Sequence, residues 1–261
     1  MSDKLNILIT NDDGYEAEGI KVLAETLRET ANVYVFAPDS NRSAVSSHIV
    51  MTDELTINKI SENEATCSGF PSDCVITGLR SDVFCDVKFD AVLSGINQGS
   101  NMGTDCIYSG TVAAARQAVL YQVPGIALSL KAEKISTEKG IEYKFNYKGL
   151  ALFVKRNLKN IIAMYEPGKI ISINALSAEK TEDYKGVKRT SLCIRDYNDK
   201  VSLVKNSEGS YGRKFISGCI QTTGPEDNEY IAVKEGYIAV TQLYAEPVNF
   251  PVKDDNFHLS I

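Results

Sequence analysis

Short, nearly continuous apolar runs alternate with segments of helical period from the N-terminus to about residue 176, and this alternation restricts the fold more than any other feature. Leu5 to Thr10, "NVYVFAPD", "FDAVLSGIN", "PGIALSL" and "KIISINAL" read as buried strands, the second ended by Pro38. Between them, Ile20, Leu23, Ala24 and Leu27 fall at i, i+3, i+4 and i+7, one face of a helix. "SGTVAAARQAVLYQ" and "NYKGLALFVKRNLKNIIAMY" read as further helices, the latter with Leu150, Phe153, Val154 and Leu158 on one side. "PSDCVITGLR" suits a short helix opened by its proline, and "ELTINKISENEATCSGF" suits β structure with a turn. Strands that are apolar at both parities are covered on both faces, as in a parallel sheet between helices. The expected class is α/β.

The texture changes after Glu179. "KGVKRTSLCIRDY", "KVSLVK", "RKFISGCIQTTG" and "EYIAVKEGYIAVTQL" alternate apolar and polar residues without a strong helical period. This predicts an α/β core over residues 1–179 and a β-rich extension over 180–261 that returns a strand to the core. The stretch around Gly236 reads as a hairpin or one long bent strand.

A formal charge of −6 argues against a general nucleic-acid-binding surface, and 43% hydrophobic residues supply an ample core. No run approaches the roughly 18 apolar residues of a membrane span, and "MSDKLNILIT" lacks the pattern of a signal peptide. Cys67, Cys74, Cys85, Cys106, Cys193 and Cys219 include no C-x-x-C pair, which fits reduced, mostly buried thiols in a cytoplasmic protein better than zinc or a disulfide scaffold.

In an open parallel sheet, ligands gather at the carboxyl ends of the strands. Three loops at such positions are rich in side-chain oxygen: "TNDDG" with Asp12 and Asp13, "APDSNRSAVSS" with Ser43, and "INQGSNMGTDCIYSGT" with Asn97 and Asn101. Adjacent carboxylates repel unless a positive group lies between them, although Asn, Asp and Gly also suit an ordinary turn. Two carboxylates, a hydroxyl and an amide oxygen form a hard donor set, suited to Mg²⁺ or Mn²⁺ rather than zinc. With only His48 and His258 in the chain, a histidine-based site has little to build on. Ser109, Gly110 and Thr111 open a helix, where N–H groups and hydroxyls bind phosphate well; the same residues also serve as caps. Arg42 is a candidate second cation. The chain has no G-x-G-x-x-G, no G-x-x-x-x-G-K-[ST] and no G-x-S-x-G.

"ILITNDDGYEAEGI", "VFAPDSNRSAVSS", "GFPSDCV", "DAVLSGINQGSNMGTDCIYSGTVAAARQA" and "GYIAVTQL" occur in the order found in the SurE family, the stationary-phase survival protein nucleotidases, which this chain resembles. The resemblance covers most of residues 5–130, recurs near 229–243, and is weak from about 131 to 225. It implies a Rossmann-like three-layer sandwich on a mostly parallel sheet. It also implies a C-terminal β extension that exchanges between subunits, giving homodimers or homotetramers. The implied activity is hydrolysis of nucleoside 5′-monophosphates, of 3′-monophosphates as well, and of short polyphosphate. One divalent ion per subunit, Mg²⁺ or Mn²⁺, is implied on Asp12, Asp13, Ser43 and Asn97. Asn101, Ser109, Gly110 and Thr111 are then expected around the phosphate.

The chain departs from the family pattern at "SAVSSHIV", which carries His48 and Val50, and at Phe70, where members have Thr. The expected mechanism is attack by metal-activated water, with both carboxylates on the ion. Competing readings are a non-catalytic nucleotide sensor using the same loops and a nucleotide-sugar transferase, whose D-x-D spacing is absent.

Overall fold

A computed structural model describes residues 4–137, 140–205, 209–216 and 218–248. His258 and the remainder of the chain from 249 lie outside them. In chain order the elements begin with β1 (Asn6–Thr10), α1 (Glu18–Arg28), β2 (Asn32–Pro38), β3 (Ile57–Lys59) and β4 (Glu64–Cys67). Next come α2 (Pro71–Arg80), β5 (Ala91–Gln98), α3 (Asp105–Tyr108), α4 (Gly110–Leu120) and β6 (Gly125–Lys131). A hairpin of β7 (Glu133–Thr137) and β8 (Gly140–Lys144) precedes α5 (Lys148–Ala163) and β9 (Lys169–Leu176). The last third holds β10 (Val187–Thr190), β11 (Ile194–Asp196), β12 (Lys200–Lys205), β13 (Tyr211–Ile216), β14 (Gln221–Thr223), α6 (Glu229–Lys234) and β15 (Ile238–Tyr244).

Nine strands form one sheet in the order β10-β15-β9-β6-β5-β1-β2-β4-β3. The run from β9 to β4 is parallel throughout, while β3 and β15 run against their neighbours β4 and β9. The protein is therefore α/β with a mostly parallel sheet. Side-chain parity separates the two cores. Ile7 and Ile9 point to the face covered by α1 and α5, where they meet Leu23, Leu27, Leu150 and Val154. Leu8 points the other way, toward Cys74 and Val75 of α2 and Ala114 and Ala118 of α4. Both faces are apolar, so each strand reads as an unbroken hydrophobic run.

The stretch Glu229–Leu243 does not form the expected hairpin or bent strand. Glu229–Lys234 is helix, begun by Asn228, whose Oδ1 accepts from the Ile231 N–H at 3.0 Å. Ala232 and Val233 then pack against Met102, Cys193 and Ala239. A cap and a buried apolar face override the β preference of Ile and Val in so short a segment. β15 follows, pairing antiparallel with β9 and parallel with β10. The last third thus supplies two strands of the main sheet as well as the small ladders β11–β14 and β12–β13.

Candidate active site

Parallel β1, β2 and β5 deliver their following loops to one edge of the sheet. After β1, Asn11 closes the turn on itself: its Nδ2 donates to the Gly14 carbonyl at 2.8 Å, and its Oδ1 accepts from the Gly14 N–H. The next loop is tied to this one through Arg42 N–H, which donates to the Asp12 carbonyl at 2.7 Å.

Asp12 is 3% exposed, and its Oδ1 accepts from the Thr111 hydroxyl at 2.5 Å. Burial pushes its carboxyl up to about 6, with the charge of Asp13 adding and the Thr111 bond opposing. Asp13 is more open. Its Oδ2 accepts from the Gln98 N–H at 2.9 Å, and burial again raises its pKa. The chain thus holds two adjacent carboxylates that resist ionisation together, the electrostatic condition that a bound cation relieves.

A cavity of about 440 Å³ opens beside this pair. Asp12, Ser43, Asn97, Asn101 and Ser109 line it; Asp13 and Thr111 stand behind or beside that wall rather than on it. Asn97 follows a break in strand register between Ser94 and Asn97 of β5, and its Nδ2 donates to the Gly99 carbonyl at 2.9 Å. That bond leaves its Oδ1 as the available donor to a hard ion. Asn101 is buried, with Nδ2 on Ser129 Oγ and its backbone N–H on Asn174 Oδ1.

Helix α4 starts against Asp12. Ser109 Oγ caps it by accepting from the Val112 N–H at 3.1 Å. A β-carbon on Gly110 would sit 2.8 Å from Asp12 Cβ, so only glycine permits this approach. Thr111 is fully buried, and its hydroxyl serves Asp12.

Arg42 does not turn toward the cavity. Its guanidinium binds Asp39 and the Ser68 and Gly69 carbonyls, and lies near the Phe70 ring, against which the tilted His48 ring packs at 4.0 Å between centres. Among the described residues, the cation on the cavity wall is Arg195 of β11, accompanied by Tyr197. Both bond to Asp105 of α3. Burial raises the Asp105 carboxyl and the Arg195 charge opposes it. Tyr108, well exposed, forms part of the rim. Sequence reasoning singled out none of these four. Asp105 and Arg195 are 90 residues apart, and only the docking of β11 on the glycine loop joins them.

Comparison with known proteins agrees across most of the chain. A family model described as "Survival protein SurE" matches residues 7–199. The 5′-nucleotidase SurE of Treponema pallidum is 43% identical over 178 residues, covering 67% of this chain and 92% of that protein. The 5′-nucleotidase SurE of Desulfitobacterium hafniense is 35% identical, covering 94% of this chain and 93% of its own. The crystal structure of the SurE protein from Aquifex aeolicus superposes with a TM-score of 0.78 at 31% identity, covering 94% of this chain and 95% of that one.

Proposed function

Since the chain belongs to the SurE family, we propose that it is a 5′-nucleotidase that removes phosphate from nucleoside monophosphates with the help of one divalent metal ion. The observation that carries the reading is the convergence of Asp12, Ser43 and Asn97 on one cavity at the N-terminus of α4. Relatives bearing the name 5′-nucleotidase SurE support the reaction class.

The donor set suits a hard cation. Asp12 and Asp13 supply negative charge, Ser43 a hydroxyl and Asn97 an amide oxygen, with no thiolate or imidazole among them. Mg²⁺ or Mn²⁺ fits this set, and such an ion, when bound, neutralises phosphoryl oxygens and lowers the pKa of its water. The protein's own groups do the rest. Thr111 fixes the Asp12 carboxylate, and the Gln98 N–H fixes that of Asp13. The first N–H groups of α4 have no partners within the helix and, with the helix dipole, favour a phosphate held there. Ser109 and Asn101 offer further polar atoms on the same wall.

The proposal extends to 3′-monophosphates and short polyphosphate. It also takes the protein to be a cytoplasmic homodimer or homotetramer built through the segment after residue 180. Val201, Leu203, Tyr211 and Phe215 are exposed on one face of the β12–β13 ladder, an apolar surface that a second subunit would cover. Among the described residues, no helix is long and apolar enough to cross a membrane. The test is phosphate release from a panel of 5′- and 3′-nucleotides and polyphosphate with added Mg²⁺ or Mn²⁺. Chelator should abolish turnover of 5′-monophosphates; no release from any nucleotide would overturn the reading.

A further inference from the structure

We infer that Arg195 is a substrate-binding residue: its guanidinium, held on the cavity wall by Asp105 and Tyr197, receives the phosphate group of the ligand. The inference rests on the nucleotidase reading above for the identity of the ligand. It rests on independent observations for the role of the residue.

Among the described residues, Arg195 is the one arginine or lysine on the wall that also carries Asp12, Ser43 and Asn97. A guanidinium has two bidentate edges, each matched to a pair of phosphate or carboxylate oxygens. In Arg195, Nη1 donates to Asp105 Oδ2, and the guanidinium carbon lies 5.5 Å from the Tyr197 ring centre. The other edge, Nε with Nη2, has no protein acceptor among the described residues, and Nε is buried with no partner at all. A buried donor left unmade is costly, and more so on a charged group. An acceptor brought by a ligand, with a small rotation that turns this edge outward, relieves that cost.

The placement is deliberate in the sense that many contacts fix it. The Arg195 N–H donates to Thr104 Oγ1 at 3.0 Å. Buried Glu229 accepts from the Gly103 N–H at 2.6 Å and from the Cys193 N–H at 3.4 Å, joining the glycine loop to the strand that carries Arg195. A β-carbon on Gly103 would sit 2.2 Å from the Cys193 carbonyl oxygen, so the two segments touch backbone to backbone. Asp105 in turn accepts from Arg195, Tyr197 and the Met102 N–H. A purely structural ion pair would satisfy both edges within the protein. This one satisfies a single edge and leaves Nε of the other buried and unpartnered, in a residue that lines the cavity beside Asp12.

Arg195→Gln alone would leave Asp105 buried without its cation, so the test pairs it with Asp105→Asn and adds Arg195→Lys, which keeps the charge but loses the fork. Inorganic phosphate is titrated calorimetrically into the full-length protein in Mg²⁺, and KM and kcat are measured for a nucleoside 5′-monophosphate. The double variant should bind phosphate about 10- to 100-fold more weakly and raise KM by a similar factor. Its melting temperature should stay near that of the parent, and Arg195→Lys should fall between. Equal phosphate affinity in parent and variants, or a parent that binds no phosphate, overturns the inference. Unchanged affinity with undiminished hydrolysis would leave the nucleotidase reading intact. Phosphate binding that depends on Arg195 without hydrolysis would uphold this inference and sink that reading.

Discussion

Thr111, the second residue of α4, donates its hydroxyl to Asp12 Oδ1 across 99 positions of sequence. The bond makes Thr111 a positioning residue for the carboxylate. Removing it with Thr111→Val nearly conserves shape and leaves Asp12 free to rotate and harder to ionise. Supporting residues of this kind typically change metal affinity by 10- to 100-fold. Titration of Mn²⁺ should therefore show binding weakened by about tenfold or more, with kcat reduced. An unchanged Mn²⁺ affinity would place Thr111 at the phosphate alone.

Asp12→Asn and Asp13→Asn separate a turn from a metal site. Asn serves turns and caps about as well as Asp, so an ordinary turn would tolerate either change. If the pair holds a cation, each substitution removes one of two charges facing it. Each should abolish turnover and the rise in melting temperature on adding Mn²⁺. The metal-free variants should be no less stable than the parent, because burial and mutual repulsion already disfavour the ionised pair.

Gly110→Ala sets two effects against each other. Alanine is the better helix former, but its β-carbon would press on Asp12 Cβ and Oδ2, at 2.8 and 3.0 Å. The carboxylate must move. The expected outcome is a normal circular dichroism spectrum with kcat/KM lower by up to about 100-fold, the scale that a displacement of about 1 Å can reach. Full activity would mean that Asp12 tolerates displacement.

Glu229 gives a pH dependence with a defined sign. Burial raises its carboxyl above the ordinary 4.5, and the Gly103 N–H, the Thr241 hydroxyl and the Cys193 N–H oppose this only in part. The folded chain therefore holds this proton more tightly than the unfolded chain. The contribution to stability is fully present below 4.5 and is lost as pH rises through the folded value. Glu229→Gln has nothing to titrate. The advantage of the parent over the variant in melting temperature should shrink as pH rises from about 4 to 8. A growing advantage over that range would contradict the assignment.

The core of the fold was legible because its signals are local. Strands apolar at both parities and a helix with Ile20, Leu23, Ala24 and Leu27 on one face can be read within ten residues. Helix α6 was hidden because six residues cannot display a helical period, and its cap and packing partners outweigh the propensity of Ile231 and Val233. Asp12 on the cavity wall and Asp13 next to it were visible because they are neighbours in sequence. Arg195, Asp105 and Tyr197 were not, since what joins them is the docking of a distant strand. Arg42 was a candidate cation from its loop, yet Asp39 and two carbonyls hold its guanidinium.

Because β15 pairs with β9 while β10 lies outside it, the chain leaves the sheet, builds its small ladders, and closes them off only when its late strand slots in. During synthesis the acidic loops emerge first, and the segment bearing Arg195 is clamped only after Glu229 and β15 have been made. A chain interrupted before that point holds the carboxylates on a half-built wall. The wiring of the sheet thus ties completion of the cavity to the making of β15.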